Sequence, residues 1–569
     1  MAAGAQEEEK LQTFLQWLLV NKVELRSCEI KYCSQNKGFG LFSSGDVSDD
    51  GVVLAVPLDL AITPMRVLQD PLVGPDCRAM LEEGEVDDRF LMILFLVVER
   101  LRENNSSWKP YLDMLPTTFG NPLWFTDDEL LELEGTTLYR ATQLQKKTLR
   151  SLFENKVKSL VRKLLALDGN TEREATFEDF LWANSVFWSR ALNIPFPRSY
   201  VFPTFQEDNG CHSAIDDTSC EGGVSVNGSS GENLKIQVSE GQVNGAPSSS
   251  SQEDTVWVEG LVPGIDFCNH DLKAMATWEV DGTGLVTGSP CSMYLLSAER
   301  SLFSIGKEIS ISYGNKGNEE LLYLYGFVME NNPDDYLMVH YPIEAIQSAP
   351  FSEAKLQLLQ AQKAEMRHLL PKTLLNKGFF QAGSSSSNNG ETEKPDLRKA
   401  SNFSWSGQRS APSYIDKLVF PDDLLTALRT ISIQEDQLFK VSSLLEELVG
   451  SDEERQPTDS EVRTAVWEAC GDSGAFQLLV DILQTKMADL EEGTGTEEND
   501  IELLENAKDV GTMNQKEVFE QKGNSNEVMK PMGRNRWSSI VYRRGQKEMT
   551  RLFLREAEHA LQLSSSEGN

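Results

Sequence analysis

The sequence predicts an α+β protein in which a helical block interrupts a strand-rich region and a largely helical half follows. Short strand-like runs with turns occupy 28–63 and return at 293–313, whereas 75–192 and most of the chain after about 346 carry helical apolar spacing. The length of 569 residues suits two to four domains. We therefore expect a mixed domain over 1–345 and a helical domain over 346–569.

The first region is expected to begin with a helix and to continue with short strands. Residues 8–22 carry apolar side chains at helical spacing, and strands are predicted at 28–32, 40–43 and 52–56. Pro57 ends the third strand because proline cannot donate to a ladder. Inserted helices are predicted at 89–103, 127–133, 139–167 and 176–192. Strands return at 293–296 and 308–313, and a helix at 318–325 ends at a glycine cap, Gly326.

The second half is expected to be a helical module for support or for binding another protein. Helices are predicted at 352–370, 422–430, 436–448, 460–468, 476–492 and 537–563. Polar stretches at about 206–254, 381–412 and 489–530 are expected to be flexible or disordered. They are poor in large apolar residues and bury too little surface to offset their ordering entropy.

Composition narrows the class of protein. The formal net charge of −35 argues against a general nucleic-acid binder, which needs a basic face. The longest apolar run, 90–98, is about half of what a bilayer requires. The first ten residues resemble neither a secretory signal nor a transit peptide. The eight cysteines are scattered without a C-x-x-C pair, so we expect free thiols and no metal site. These features predict a cytoplasmic protein, with the nucleus as the alternative, and no direct contact with nucleic acid or membrane.

The most informative pattern is the strand-like run 265–270 (IDFCNH), followed about forty residues later by 311–314 (ISYG). Both place polar side chains among apolar ones, and buried polar groups cost free energy unless they find partners. Asn269, His270 and Tyr313 therefore either satisfy one another or wait for a ligand. A structural Asn-His pair and a core tyrosine are the alternatives for these residues taken singly.

Two further runs carry candidate residues. Lys37-Gly38-Phe39 and the glycine after it would let the backbone approach a ligand closely, although an ordinary turn explains the same run. Arg190, after Ser189 at a helix end, can pair with a carboxylate, or can simply be a favourable C-terminal arginine. The chain completes no G-x-G-x-x-G, G-x-S-x-G, P-loop or H-E-x-x-H motif.

In this order the motifs resemble those of the SET-domain protein methyltransferases, and more narrowly the branch of the plant Rubisco large-subunit lysine methyltransferase. The resemblance extends over nearly the whole chain apart from the polar insertions. The matching runs are 37–41 (first SET motif), 108–116 (helical insert), 182–190 (Trp-Ala…Ser/Thr-Arg), 266–270 (D-x-x-N-H), 311–327 (closing motif) and 542–547 (end of the C-terminal domain).

The resemblance implies a SET-type β fold with an inserted helical subdomain, followed by an all-α C-terminal substrate-binding-type domain. It implies S-adenosyl-L-methionine as methyl donor, no metal, and Tyr313 as the catalytic tyrosine. By position, Ser189 and Leu192 would lie beside the substrate. The residues implied to bind the cofactor are Lys37, Gly38, Phe39, Arg190, Asp266, Asn269, His270 and Tyr325.

Departures from the family refine this interpretation. Phe42 stands where some relatives carry an arginine that reaches the cofactor. Leu192 is apolar where a histidine-methylating relative would want a partner for imidazole, and this favours lysine as the target. The cysteine-rich zinc clusters of many histone-directed relatives are absent from the sequence. We expect a protein-lysine N-methyltransferase with a non-histone protein substrate. The alternatives are a protein-histidine methyltransferase and a catalytically silent scaffold that binds partners through its helical half.

Overall fold

The computed structural model describes residues 2–34, 37–47, 50–169, 172–201, 255–297, 304–380, 412–450, 455–516 and 532–567. The loop expected at 206–254 lies outside these residues, as does 381–411 of the second polar stretch. The chain divides into two compact units. The first comprises Met1–Thr117 and Leu152–Asn315, and the second comprises Thr118–Ser151 and Lys316–Asn569. The predicted domain boundary at residue 345 stays a prediction.

Strands in the described ranges form short antiparallel sheets. In the first unit, β1, β4, β8 and β7 pair in that order, β3 lies between β2 and β9, and β5 pairs with β6; in the second unit β10 pairs with β11. The strands are β1 (Glu24–Leu25), β2 (Cys28–Ser34), β3 (Gly38–Ser43), β4 (Val52–Pro57), β5 (Leu192–Pro197), β6 (Thr255–Gly260), β7 (Ala276–Asp281), β8 (Ser292–Ser297), β9 (Glu308–Ile309), β10 (Tyr336–His340) and β11 (Arg367–Pro371).

Helices make up most of the remaining described residues. They are α1 (Ala2–Val20), α2 (Pro64–Leu68), α3 (Gly74–Glu82), α4 (Asp88–Arg102), α5 (Lys109–Leu112), α6 (Asp127–Leu131), α7 (Thr137–Leu152), α8 (Lys158–Leu167), α9 (Phe177–Arg190), α10 (Arg198–Val201), α11 (Asn318–Glu320), α12 (Ile343–Gln347), α13 (Ser352–Ala361), α14 (Asp422–Ser432), α15 (Glu435–Val449), α16 (Asp459–Ala469), α17 (Ser473–Glu492), α18 (Glu497–Lys516) and α19 (Arg534–Glu567). A π-helical turn, Phe153–Val157, joins α7 to α8, and another, Leu321–Tyr325, follows α11.

Helix α4 lies in the core of the first unit. Asp87 caps it by accepting a 2.8 Å hydrogen bond from the backbone N–H of Phe90. Residues 91–98 are all buried, because α8 and α9 pack against the same helix. The apolar run that was too short for a bilayer is thus a core helix. No helix in the described ranges is long and apolar enough to cross a membrane.

Two sequence predictions near the candidate residues were wrong in detail. The run 265–270 is not a strand: Ile265–Phe267 is a 3₁₀ turn, entered through Gly264 at φ 104°. The Asp266 carboxylate accepts the backbone N–H of Gly264 at 3.1 Å, and this local bond competes with an extended conformation. The helix predicted at 176–192 ends at Arg190. Leu192 instead begins β5, because the backbone of Leu192–Pro197 pairs with that of β6 at six residue positions.

The second unit has its own apolar core, in which α14, α17 and α19 pack together with β10 and β11. Its central side chains are less than 2% exposed, among them Leu337, Leu370, Phe476 and Phe553. The predicted helix 352–370 was wrong beyond residue 361. Lys363 adopts φ 52°, which a right-handed helix excludes, and Arg367–Pro371 is instead the strand that pairs with β10.

The disorder predicted at 489–530 was also wrong over its first half. The end of α17 and all of α18 lie there, while 517–531 fall outside the described residues. One polar residue of α18, Asp500, is fully buried and attaches the helix to α19, because its carboxylate accepts hydrogen bonds from Arg543 and Lys547. Leu504, one turn further on, is 4% exposed and packs on the apolar face of α19.

Candidate active site

The run 266–270 and the run 311–313 lie side by side in the first unit. His270 and Ile311 form a parallel bridge, in which the N–H of Ile311 donates to the carbonyl of Asn269 at 3.0 Å. The N–H of Asp271 in turn donates to the carbonyl of Ile311 at 3.2 Å. The two runs singled out in the sequence are therefore direct neighbours, although only Glu308–Ile309 of the predicted strand 308–313 belongs to a sheet.

Tyr313 is fixed to the first of these runs at two points. Its hydroxyl donates to the backbone carbonyl of Cys268 at 2.8 Å, and its backbone N–H donates to Nδ1 of His270 at 3.1 Å. The rings of His270 and Tyr313 lie 5.1 Å apart between centroids. The imidazole Nδ1 is an acceptor here, so the neutral ring carries its proton on Nε2. The phenol and the imidazole are held as one unit by main-chain groups.

Asn269 points to a carboxylate that the sequence analysis did not name. Its Nδ2 donates to Glu308 Oε1 at 2.7 Å, and the ammonium group of Lys37 binds Glu308 Oε2 at 2.8 Å. Partial burial acts to raise the pKa of Glu308, but the hydrogen bonds from Lys37 and Asn269 outweigh it and keep the pKa below its usual value. Glu308 therefore stays ionised and ties Lys37 to Asn269.

The glycine-rich run approaches this group through its backbone. Gly38 has φ 71°, a conformation that favours glycine, and the ladder between β3 and β9 includes only Leu41 and Phe42 on the side of β3. A Cβ atom on Gly40 would stand 2.5 Å from Cys33 Sγ and 3.0 Å from Asn269 Nδ2. The bare backbone of Gly40 thus packs directly on the Asn269 amide, which explains the second glycine.

Arg190 and Asp266 form a second polar group one turn away along the same run. Nη1 of Arg190 donates to the backbone carbonyl of Asp266 at 2.8 Å and lies 3.4 Å from its Oδ2. The hydroxyl of Tyr111 donates to the same Oδ2 at 2.7 Å. Burial raises the pKa of Asp266, against the opposing effects of Arg190 and Tyr111. The guanidinium also lies over the ring of Phe267, 5.2 Å from its centroid.

The predicted substrate residues lie at the end of α9 and just beyond it. The hydroxyl of Ser189 donates to the carbonyl of Ser185 at 2.7 Å, within its own helix. Leu192 is half-buried and stands opposite Gly260 in the β5–β6 ladder. Their predicted contact with substrate stays a prediction.

Tyr325 belongs to the second unit. It is the last residue of the π-helical turn Leu321–Tyr325, and Gly326 follows at φ 75°, so the predicted glycine cap is confirmed. A Cβ on Gly326 would lie 2.6 Å from the backbone of Gly120, so the position demands glycine twice over. Burial raises the pKa of Tyr325 well above its ordinary value. Its cofactor role stays a prediction.

The structure thus brings five of the ten predicted residues of the first unit together at the run 266–270. Asp266, Asn269 and His270 lie in the run, and Arg190 and Tyr313 bond to it. Lys37 is linked to Asn269 through Glu308. Sequence reasoning missed Glu308 and Tyr111. The available signals were a carboxylate five residues before Tyr313 and a tyrosine inside the run 108–116. In the described part of the chain, no cluster of three or more His, Cys, Asp or Glu side chains could hold a metal ion.

Comparison with known proteins shows which proteins this chain is similar to. No protein-family model matches it. A chloroplastic fructose-bisphosphate aldolase-lysine N-methyltransferase of Arabidopsis thaliana is 27% identical over 371 residues, 64% of this chain and 60% of that protein. The chloroplastic ribulose-1,5-bisphosphate carboxylase/oxygenase large subunit N-methyltransferase of Pisum sativum is 26% identical, over 62% of this chain and 58% of that protein. An actin-histidine N-methyltransferase of Canis lupus familiaris is 22% identical, over 63% and 48%.

Solved structures extend the likeness to almost the whole chain. The SET domain of LSMT bound to lysine and AdoHcy matches with a TM-score of 0.58 at 19% identity, over 98% of this chain and 92% of that one. Rubisco LSMT bound to AdoMet matches with a TM-score of 0.57 at 18% identity, over 98% and 93%.

The fold is therefore that of a SET-domain protein with a helical C-terminal region, and the predicted α+β class is confirmed. The chain's homologues include SET-domain lysine methyltransferases of the Rubisco large-subunit type, as the motifs predicted. It spans about three fifths of the length of the two plant relatives.

Proposed function

We propose that this chain is an S-adenosyl-L-methionine-dependent protein-lysine N-methyltransferase that acts on a non-histone protein. The observation that carries the proposal is the attachment of Tyr313 to the run 266–270 through the Cys268 carbonyl and the His270 ring. It brings a phenol next to the residues that the family resemblance assigns to the cofactor. The curated relatives named for lysine methylation act on aldolase and Rubisco, and both are non-histone proteins.

The donor set of the site fits the amino-acid end of such a cofactor. A carboxylate needs N–H donors, which Arg190 and strand-edge backbone supply, and an ammonium group needs an acceptor, which the Asn269 amide supplies. A Cβ atom on Gly38 would meet no other atom within 4 Å, so a ligand can approach the main chain at Gly38, between Lys37 and Phe39, closely. When bound, the cofactor supplies a methyl group activated by a sulfonium sulfur.

Tyr313 is suited to orient the amine that accepts the methyl group. Its only proton is donated to the Cys268 carbonyl, so its oxygen presents lone pairs and can accept an N–H of the lysine side chain. In-line transfer requires the amine to be neutral and aligned, and positioning of this kind supplies a large part of the rate. A lysine has an ordinary pKa near 10.4, and an apolar channel lowers it by disfavouring the charged form.

Lysine is favoured over histidine as the target because Leu192, at the start of β5, has no group that could bond to imidazole. The actin-histidine relative makes this alternative concrete, at lower identity than the plant enzymes. The expected cytoplasmic or nuclear location stays a prediction, which imaging of a fluorescently tagged chain tests. Two of the relatives are chloroplastic.

The test combines binding with transfer. Calorimetry with S-adenosyl-L-methionine should give saturable binding, and incubation with labelled cofactor and a protein lysate should give labelled protein. Mass spectrometry of the product should locate the methyl group on lysine. A methylated histidine would contradict the lysine assignment. Absence of binding at millimolar cofactor would contradict the enzyme and favour the scaffold that binds partners through its helical half.

A further inference from the structure

Three side chains of the first unit, those of Cys33, Lys37 and Asn269, converge on the carboxylate of Glu308. We name these four residues the Glu308 cluster. Besides the bonds from Asn269 and Lys37, the Cys33 thiol lies 3.7 Å from Glu308 Oε1 and 3.8 Å from Asn269 Nδ2. Partial burial and the nearby Glu308 raise the pKa of Cys33 to about 11, so the thiol stays protonated and can donate to the carboxylate. Cys33 lies in β2, Lys37 directly precedes β3, Asn269 belongs to the run 266–270, and Glu308 begins β9.

The cluster determines which way the Asn269 amide faces. An ionised carboxylate accepts hydrogen bonds and donates none, so only the NH₂ side of Asn269 can face Glu308. The carbonyl Oδ1 must then face away from the carboxylate. Because Gly40 packs against Nδ2, with room for no Cβ, the side chain has little freedom to turn. Glu308 thus selects one of the two orientations of the Asn269 amide, whereas an asparagine without such a partner can adopt both.

Both carboxylate oxygens of Glu308 accept hydrogen bonds within the cluster, Oε1 from Asn269 and Oε2 from Lys37. Its side chain is 24% exposed and that of Lys37 is 53% exposed, so water reaches the ion pair and its contribution to stability is small. A pair with little value for folding that controls the orientation of a site amide is better explained by ligand binding.

We propose that Glu308 is a positioning residue for the amino-acid end of S-adenosyl-L-methionine, because it holds the Asn269 carbonyl toward the cofactor as an acceptor for the ammonium group. This inference rests on the proposed function. It assigns Glu308 a role through Asn269 and not through contact with the reacting atoms. The Lys37 ammonium completes the arrangement by keeping Glu308 ionised.

The variant Glu308→Gln tests the role because a glutamine amide can donate as well as accept, so it no longer dictates the orientation of Asn269. Calorimetry is performed with two probes, S-adenosylhomocysteine and 5′-methylthioadenosine. The second lacks the amino-acid end and keeps the nucleoside. We expect Glu308→Gln to weaken binding of S-adenosylhomocysteine by about tenfold, as for one lost hydrogen bond to a charged group, and to leave methylthioadenosine unaffected.

Glu259→Gln is the matched control, because Glu259 is also a partly exposed strand glutamate and pairs with Arg89 through two hydrogen bonds. It should change neither affinity. Glu308→Asp, which keeps the charge and shortens the reach, serves as a second variant with an expected intermediate loss if the glutamine protein folds poorly.

Each result is decisive. Equal loss of both probes in the Glu308 variants would mean a general structural role, and no loss of either would remove Glu308 from cofactor binding; both overturn the inference while leaving the proposed function intact. If the unaltered protein bound neither probe, the proposed function would fall and the inference with it.

Discussion

The hydroxyl of Tyr313 donates a 2.8 Å hydrogen bond to the backbone carbonyl of Cys268, so the candidate catalytic side chain is held by the same run that carries Asn269 and His270. The bond uses the only hydroxyl proton and leaves the oxygen as an acceptor. Geometry at the cofactor end and geometry at the amine end are therefore coupled through a few main-chain atoms.

Removing this hydroxyl should separate activity from folding. We expect Tyr313→Phe to lower the rate of methyl transfer by about 100-fold, since misplacement of a reacting group by about 1 Å costs on that order. The free energy of unfolding should fall by only about 1–2 kcal/mol, the cost of one partly buried hydrogen bond. Labelled methyl incorporation and urea unfolding of the same preparations measure the two effects.

Tyr294→Phe is the control for this variant. The Tyr294 hydroxyl donates to Glu279 Oε2 at 2.8 Å between neighbouring strands of the same unit. Its removal should cost comparable stability and spare methyl transfer. If both variants lost activity equally, the special role of Tyr313 would be contradicted.

Asp266 should matter for stability as well as for the site. Asp266→Ala removes the acceptor for Tyr111 and Arg190 where the carboxylate is fully buried, so we expect the free energy of unfolding to fall by about 3 kcal/mol. Asp266→Asn keeps one oxygen and should cost less. Urea unfolding gives both values.

An exposed pair provides the comparison for Asp266. Asp113 binds Lys109 one helical turn earlier with both side chains 39% exposed, and Asp113→Ala should cost less than about 1 kcal/mol. If Asp266→Ala lowered the free energy of unfolding by no more than Asp113→Ala, the buried carboxylate would not stabilise the fold as we expect.

Stability should depend on acid through Asp281. Burial acts to raise its pKa, but hydrogen bonds from the backbone of Thr287, Gly284 and Val286 outweigh it and hold the pKa at about 2. In the unfolded chain the pKa of an aspartate is near 3.9. The ionised Asp281 therefore contributes its full stabilisation of the fold above that pH, and this contribution is lost as the pH falls through about 2. We expect Asp281→Asn to cost about 2 kcal/mol at neutral pH and about half of that at pH 3.

Urea unfolding at pH 7, 5 and 3 measures this difference between the unaltered protein and the variant. Asp271→Asn is a suitable control, because the Asp271 carboxylate accepts a backbone N–H from Lys273 alone among the described side-chain bonds of that turn. A difference for Asp281 that stayed constant from pH 7 to pH 3 would be incompatible with the low pKa.

Elements that are determined by a short stretch of sequence could be predicted from that stretch. Helix α4 was predicted within one residue at each end because its apolar run and its cap lie in the same short stretch. The run 266–270 and Tyr313 were recognised because their residue types and order are specific. The helix predicted at 352–370 failed since nothing in its composition announces the positive φ of Lys363.

Contacts between residues that lie far apart in the sequence could not be predicted. Glu308 meets Lys37 across 271 positions because β9 pairs with β3 in a register that places Glu308 opposite Phe42. Such a register depends on the assembled sheet, and the sequence of β9 alone contains no sign of it. The same reason hid the bond between Tyr111 and Asp266, which lie 155 positions apart.

Helix α18 offers the sharpest test of a wrong prediction, because its polar sequence favoured disorder and one buried carboxylate opposes it. Asp500 accepts hydrogen bonds from Nε and Nη2 of Arg543 at 2.8 and 2.6 Å and from Nζ of Lys547 at 2.7 Å, and the Lys547 side chain is fully buried. Asp500→Asn removes the carboxylate that Lys547 binds and leaves Arg543 with the Glu132 carboxylate, so we expect the free energy of unfolding to fall by about 3–5 kcal/mol. Amide hydrogen exchange over 497–508 should accelerate in step, as α18 detaches. Glu497→Gln, which weakens only the pair with the half-exposed Arg551, should change the exchange little. Unchanged protection of α18 in the Asp500 variant would mean that apolar contacts such as those of Leu504 hold the helix without the ionic anchor.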